Sequence, residues 1–216
     1  MTIYTIRHGE TEANSEGRFQ SRVDGKLNEN GIQLARETAK GLAKAGIHFD
    51  ECFSSPLSRA ADTARIILEG SGNASVPIHY DDRLMEVDVG EWDMVLVKDM
   101  DPYYINTFMS NPFSLTRESL RGGETMAEAC ARTQSFLKEL IARDDDKTYL
   151  VSTHGSAVRA MCYFLHDDGD FWRGHLPYNC SMNVIEVDHG NATMKELDKI
   201  FYAPAKCVDH YAPPKD

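Results

Sequence analysis

Residues 1–10, MTIYTIRHGE, are the stretch from which the rest of the chain can be read. Ile3-Tyr4-Thr5-Ile6 is a short β-prone run that ends directly in Arg7-His8-Gly9, and the loop composition of Glu10, Thr11 and Asn14 comes next. In open α/β sheets ligands bind outside the carboxyl ends of the strands, so chemistry is delivered by the residues just past a buried strand. Here that end presents a permanent cation, an imidazole and a residue with no side chain to block an approaching ligand. The set suits an anion, but three letters prove little until distant residues complete it.

Working outward, Tyr149-Leu150-Val151-Ser152-Thr153-His154-Gly155-Ser156 repeats the pattern: a buried-strand run, His-Gly, then a helix. A lone histidine after a strand is usually incidental. Two, each followed by glycine, argue for one site. A helix starting near Ser156 would also aim free backbone N–H groups at an anion. In Phe53-Ser54-Ser55-Pro56-Leu57-Ser58-Arg59, Arg59 falls in the first turn of a helix that comes after a strand. Helical side chains lean towards the N-terminus, so Arg59 can reach back over the carboxyl edge of the sheet. Solvated arginine is the commoner outcome, but Ala60, Ala61 and Ala64 suit a helix packed closely on a sheet. Arg83-Leu84-Met85-Glu86-Val87-Asp88-Val89-Gly90-Glu91-Trp92 adds three candidate acids, Glu86, Asp88 and Glu91. One carboxyl near a phosphate can protonate a leaving alkoxide, and spacing alone does not choose among them.

The remaining elements alternate. Strands are expected at 3–6, 51–54, 76–80 and 148–152. Helices are expected at 30–46, from Pro56 to Leu68 with Ser55 as N-cap, at 124–143 and at 155–166. Segment 94–122 reads as one or two short helices broken at Pro102 and Pro112. Residues 181–187 and 192–198 read as a hairpin turned at His189-Gly190-Asn191, and Pro204, Pro213 and Pro214 mark an irregular tail. Alternation predicts a three-layer α/β/α sandwich with a mostly parallel central sheet and one antiparallel edge strand from the hairpin. Residues 1–216 are expected to form a single domain with a cap inserted at about 94–122.

Composition narrows the classes. The chain has 216 residues, 42% of them hydrophobic, enough for a sizeable core. A formal net charge of −11 disfavours nucleic acid and anionic membrane as partners, so an anionic substrate would have to meet a concentrated cationic pocket. No apolar run reaches the length of a membrane span, about 18 residues or more. A strand beginning at residue 2 or 3 leaves no room for a signal peptide, so a cytoplasmic location is expected. Five cysteines, at 52, 130, 162, 180 and 207, form no C-x-x-C, which argues against a disulfide framework or zinc site.

IYTIRHGETEAN, FSSPLSRAADTA, LMEVDVGEW, GGET and VSTHGSAVRA occur in the order found in the histidine phosphatase superfamily, also called phosphoglycerate mutase-like, and NCSMNVIEV at 179–187 resembles its closing strand. The resemblance spans residues 3 to about 187. It implies that His8 is the nucleophile and forms a phosphohistidine. It implies that Arg7, Arg59 and a protonated His154 grip the phosphoryl oxygens, that Glu86 is the general acid, and that Asn14 helps bind phosphate. Gln20 would line the same pocket, and Gly155, next to His154, would also bind substrate. No metal or cofactor is implied. Guanidinium forks match an oxyanion better than lysines do, and a covalent intermediate divides one difficult displacement into two.

One departure stands out. Relatives follow the tryptophan with an acidic or amide residue and then glycine, whereas here Trp92-Asp93 is followed by Met94. The leading expectation is a phosphomonoester hydrolase acting on a small phosphorylated metabolite. The alternatives are a cofactor-dependent phosphoglycerate mutase and a non-catalytic phospho-ligand module. Mutases resemble one another in an E-R-H-Y-G run where this chain has Glu86-Val87-Asp88-Val89-Gly90. The apolar residues of 94–122 are expected mainly to pack that segment onto the sheet. Arg117 and Arg121 are candidates for a second anionic group, although solvated positions are commoner.

Overall fold

The computed structural model describes residues 1–166 and 169–208; Pro213 and Pro214 lie outside them. Six strands form one sheet: β1 (Thr2–Arg7), β2 (Glu51–Ser54), β3 (Ile78–Tyr80), β4 (Thr148–Thr153), β5 (Met182–Asp188) and β6 (Asn191–Lys199). Their spatial order is β3-β2-β4-β1-β5-β6. β3, β2, β4 and β1 are mutually parallel, β5 runs antiparallel to β1, and β6 pairs antiparallel with β5. The sheet is therefore mostly parallel, and the C-terminal hairpin supplies its antiparallel margin.

Strand alternation decides which layer each side chain joins. Ile3, Tyr149, Val151 and Ile185 bury on one face against Phe136, Leu137 and Leu140 of α5 (Met126–Ile141) and Val158 and Met161 of α6 (Gly155–Cys162). Ile6, Cys52, Leu150 and Met182 bury on the other against Leu34, Ala35 and Leu42 of α2 (Glu29–Lys44) and Ala64 and Ile67 of α3 (Ser58–Gly70). Thr11 opens the short α1 (Glu12–Ser15) with a capping box completed by Asn14, Thr125 opens α5 with one completed by Glu128, and Asn28 caps α2 through the N–H of Gly31.

A third apolar cluster lies beyond the carboxyl edge of the sheet. Phe19, Val87, Val89, Trp92 and Met126 pack there with Tyr104 and Phe108 of α4 (Pro102–Ser110) and with Trp172 and Leu176. Pro102 and Pro112 start their helical turns and do not break them: α4 begins at Pro102, and a 3₁₀ turn spans Pro112–Ser114. A first-turn proline gives up an N–H that had no helical partner.

Two local details differ from the sequence reading. The helix expected from Pro56 begins at Ser58, with Leu57 as N-cap and no side-chain cap; the Ser55 hydroxyl accepts from the Leu57 N–H and meets His154. The helix expected over 155–166 is α6 followed by a 3₁₀ turn, Tyr163–Leu165. The Trp92-Asp93-Met94 turn is built with Met94 at a φ of 65°, the left-handed region that glycine occupies without strain.

Candidate active site

Parallel pairing of β1 with β4 puts Arg7 in register with Thr153, so His8 and His154 leave adjacent strand ends side by side. Their rings lie 5.1 Å apart, edge to face. Each element then adds one group. Arg59 comes from the first turn of α3 and is fully buried. Glu86 comes from the loop after β3 and also reaches the N-terminus of α6. Arg7, His8, Asn14, Gln20, Glu86 and Gly155 all line one cavity.

His8 is held by its main chain. Its N–H donates to Thr153 O at 3.0 Å. Its carbonyl accepts from Asn179 Nδ2 at 3.0 Å and, more weakly, from the Cys180 N–H at 3.3 Å. The ring Nδ1–H donates to Gly9 O at 2.7 Å, so Nε2 carries the lone pair, and Arg59 Nε donates to that nitrogen at 3.3 Å. Burial, reinforced by Arg59 and Arg7, holds the imidazole well below the ordinary histidine range. His8 is thus a neutral base with its nucleophilic nitrogen facing a guanidinium.

Arg59 is oriented as firmly. Its Nη2 donates to Ser21 O at 2.6 Å and its Nη1 to Val23 O at 3.2 Å. The turn carrying those carbonyls is fixed by Asp93, whose carboxylate accepts from the N–H groups of Ser21, Arg22 and Val23 at 2.7–2.8 Å. Asp24 Oδ1 bonds both the N–H and the hydroxyl of Ser58 at the start of α3. Arg7 donates to Pro177 O through Nη1, and its Nε is buried with no partner among the described residues.

His154 differs from expectation. Burial, then Arg59 and His8, push its imidazole well below the ordinary range, so the substrate-free site disfavours the cation. Its Nε2 meets Ser55 Oγ at 2.8 Å, and its Nδ1 is buried without a partner among the described residues. Buried polar atoms in native proteins are normally satisfied; these orphaned nitrogens of Arg7 and His154 are what an oxyanion would complete.

Two first-turn N–H groups of α6, those of Ser156 and Ala157, are taken by Glu86. Glu86 Oε1 accepts from Ala157 at 2.9 Å and from Val87 at 2.8 Å, and Oε2 accepts from Ser156 at 3.2 Å. The helix N-terminus therefore holds the chain's own carboxylate. Arg132 of α5 clamps the loop that carries Glu86 through the carbonyls of Arg83, Met85 and Glu86. Glu124 pairs with Arg132; burial opposes its ionisation, but that pair outweighs the opposition and keeps the carboxyl below its usual range.

Asn14 Oδ1 accepts from Thr11 N–H and from Asn179 Nδ2, both at 3.3 Å. Gln20 Oε1 accepts from Thr11 Oγ1 at 2.7 Å. Asp88 lies outside the cavity wall, with Oδ1 on the Gly90 N–H; Glu91 faces Arg121 at the surface. Gly9 serves packing more than access: a Cβ there would sit 2.7 Å from Gly31 O, and one on Gly31 only 2.1 Å from Glu10 O. Sequence reasoning missed Ser21, Ser55, Thr63, Asp93, Asn179 and the Arg132–Glu124 pair. Thr63 takes the Gly9 N–H on its hydroxyl at 2.9 Å. Among the described residues no group of three His, Cys, Asp or Glu side chains is arranged to hold a metal ion, and no helix is long and apolar enough to cross a membrane.

Two strand-end histidines and two buried arginines thus meet at the carboxyl edge of an α/β sandwich. Residues 3–199 match the model of the histidine phosphatase superfamily (branch 1), and the chain belongs to that superfamily. It is 31% identical over 200 residues to phosphoserine phosphatase 1 of Hydrogenobacter thermophilus, covering 92% of each chain. It is 28% identical to the adenosylcobalamin/alpha-ribazole phosphatase of Salmonella typhimurium, covering 92% of this chain and 96% of that one. The crystal structure of a phosphoglycerate mutase from Bacillus anthracis superposes with a TM-score of 0.80 at 23% identity, covering 92% of each, which is a likeness of fold.

Proposed function

We propose that this chain hydrolyses phosphomonoesters of small metabolites through a phosphohistidine on His8, without a metal. The observation that carries the reading is the state of His8: Nδ1–H is fixed on Gly9 O, and Nε2 is an unprotonated nucleophile inside a cationic cavity. Phosphatase relatives over nearly the whole chain support hydrolysis.

Substrate phosphate enters between Arg7, Arg59, His8 and His154. Arg59 Nε–H passes from His8 to an equatorial oxygen, and Arg7 and His154 take others. The arrival of a dianion also reverses the electrostatics that keep His154 neutral, so it can then hold a proton. His8 Nε2 attacks phosphorus, the ester P–O bond breaks, and Glu86 supplies the proton that the leaving alkoxide needs. The Glu86 carboxylate then takes a proton from water as that water attacks the phosphohistidine. The P–N bond breaks, phosphate is released and His8 returns to its neutral form. Charge on the equatorial oxygens is met by donors already in place, which is where most phosphoryl-transfer catalysis resides. Asn14, Gln20 and Gly155 complete the wall on the phosphate side.

Residues 94–122 act in this proposal as a cap over the site, because Tyr104, Phe108 and Leu115 share one cluster with the cavity residues Phe19, Val87 and Val89. Five free thiols suit a reducing, cytoplasmic setting.

The test is a rapid quench with labelled p-nitrophenyl phosphate. One acid-labile, base-stable phosphate per chain is expected in the wild type and none in His8→Ala. Turnover of His8→Ala at the wild-type rate would overturn the covalent mechanism. Absence of hydrolysis by the wild type would favour a phospho-ligand module.

A further inference from the structure

We infer that the site selects phosphomonoesters of uncharged alcohols and discriminates against those whose alcohol carries a carboxylate or second phosphate near the ester. The inference rests on the phosphatase reading and specifies its substrate class. The cavity has two unlike halves. Arg7 and His8, with Asn14, Gln20 and Gly155, hold the phosphate side, and the rest of the wall sets the buried apolar Phe19, Val87, Val89 and Leu176 beside the uncharged Ser21 and Ser156. The acidic residue on that side is Glu86.

The cations that would welcome a second anion are engaged elsewhere. Arg117 pairs with Glu128 and reaches Gly123 O. Arg121 lies over the Trp92 ring, 4.5 Å from its centroid, and faces Glu91. Arg22 places its terminal nitrogens on Met85 Sδ and Glu124 Oε1, and Arg132 is taken by Glu124 and three carbonyls. Among the described residues, Arg7 is the one arginine or lysine in the cavity wall.

A carboxylate two carbons from the ester oxygen would fall on the side of the cavity away from the phosphate. It would lose water there and meet apolar carbon and neutral hydroxyls but no second cation, which is unfavourable for a charge. A hydroxymethyl group at the same position loses far less. Apolar walls also gain from carbon in the leaving group, through ordinary burial of apolar surface.

The experiment compares glycerol 3-phosphate with 3-phosphoglycerate, which differ by one hydroxymethyl against one carboxylate, using the full chain. Each is measured as a substrate and as a competitor of p-nitrophenyl phosphate hydrolysis, so a compound that is not turned over still gives an affinity. Glycerol 3-phosphate should compete at least tenfold more tightly and, where both turn over, show the higher kcat/KM by the same factor. Propyl phosphate should lie with glycerol 3-phosphate, and O-phosphoserine with 3-phosphoglycerate. Equal affinities, a reversed order, or no competition by glycerol 3-phosphate overturns the inference while p-nitrophenyl phosphate turnover leaves the phosphatase reading standing. Loss of p-nitrophenyl phosphate turnover itself removes both.

Discussion

Arg59 Nε donates to His8 Nε2 at 3.3 Å while its two terminal nitrogens rest on the carbonyls of Ser21 and Val23. In the proposed reaction this one guanidinium aligns the nucleophile and waits beside the place where phosphoryl charge would form. Lysine keeps the charge but has no planar fork to make three such bonds at once. Arg59→Lys should lower kcat by about 10²–10³-fold, the scale of losing one preorganised oxyanion donor, with a smaller change in KM. Steady-state kinetics on p-nitrophenyl phosphate will read it. A change confined to KM would mean that Arg59 only binds.

Asp93 reaches the same chemistry at one remove. Its carboxylate fixes the turn from Ser21 to Val23, and that turn holds Arg59. Asp93→Ala should destabilise the fold by about 2–4 kcal/mol, since three N–H groups lose a charged acceptor, and should lower kcat/KM at least tenfold. If the activity loss runs through Arg59, it should shrink or vanish in an Arg59→Ala background, a non-additivity that a double-mutant cycle measures. Equal losses in both backgrounds would limit Asp93 to general stability.

Glu86 sits on three backbone N–H groups, which a carboxylate satisfies better than an amide. Glu86→Gln should slow alkyl phosphates by about 10²–10⁴-fold. It should slow p-nitrophenyl phosphate far less, because that leaving group needs little protonation. Equal slowing of both would reduce Glu86 to a brace for the start of α6.

The two histidines make the substrate-free protein sensitive to acid. Unfolded, each imidazole titrates near pH 6.5; folded, both are held well below it, chiefly by burial. Below that pH the unfolded chain binds more protons, so stability falls as pH falls. Between pH 6.5 and 5.5 the pair should cost about 2 kcal/mol. Thermal melts across that window should show a falling Tm, and saturating vanadate should flatten the fall by favouring His154 in its charged form. A level Tm without ligand would contradict the neutral assignment.

Much of this was legible from the strand ends. His8-Gly9 and His154-Gly155 close two parallel neighbours, so a sequence echo became spatial adjacency. Arg59 was found because a first-turn side chain must lean over the same edge. The residues that escaped notice act through backbone atoms far away in sequence. Asp93 serves residues 21–23, Arg132 serves residues 83–86, and Asn179 serves the His8 carbonyl. No periodicity or spacing encodes such pairings. Ser55 serves twice, its hydroxyl meeting His154 Nε2 and accepting from the Leu57 N–H just before α3. At the start of α6, the loop acid Glu86 occupies the N–H groups of Ser156 and Ala157. Met94 kept the glycine-like turn at the expense of backbone strain, on the order of 1 kcal/mol.

The contact of Gly9 with Gly31 has a further meaning for how this catalyst tolerates change. The loop just past the nucleophile rests on the first turn of α2 main chain to main chain, with no side chain between to cushion an error. A single methyl group at position 31, on a helix that supplies nothing to the cavity, would act as a wedge whose displacement is passed directly to the imidazole. Random mutagenesis should therefore return position 31 among the inactivating sites beside His8 itself, and an engineer grafting this site onto another scaffold would have to carry that helix turn along with it.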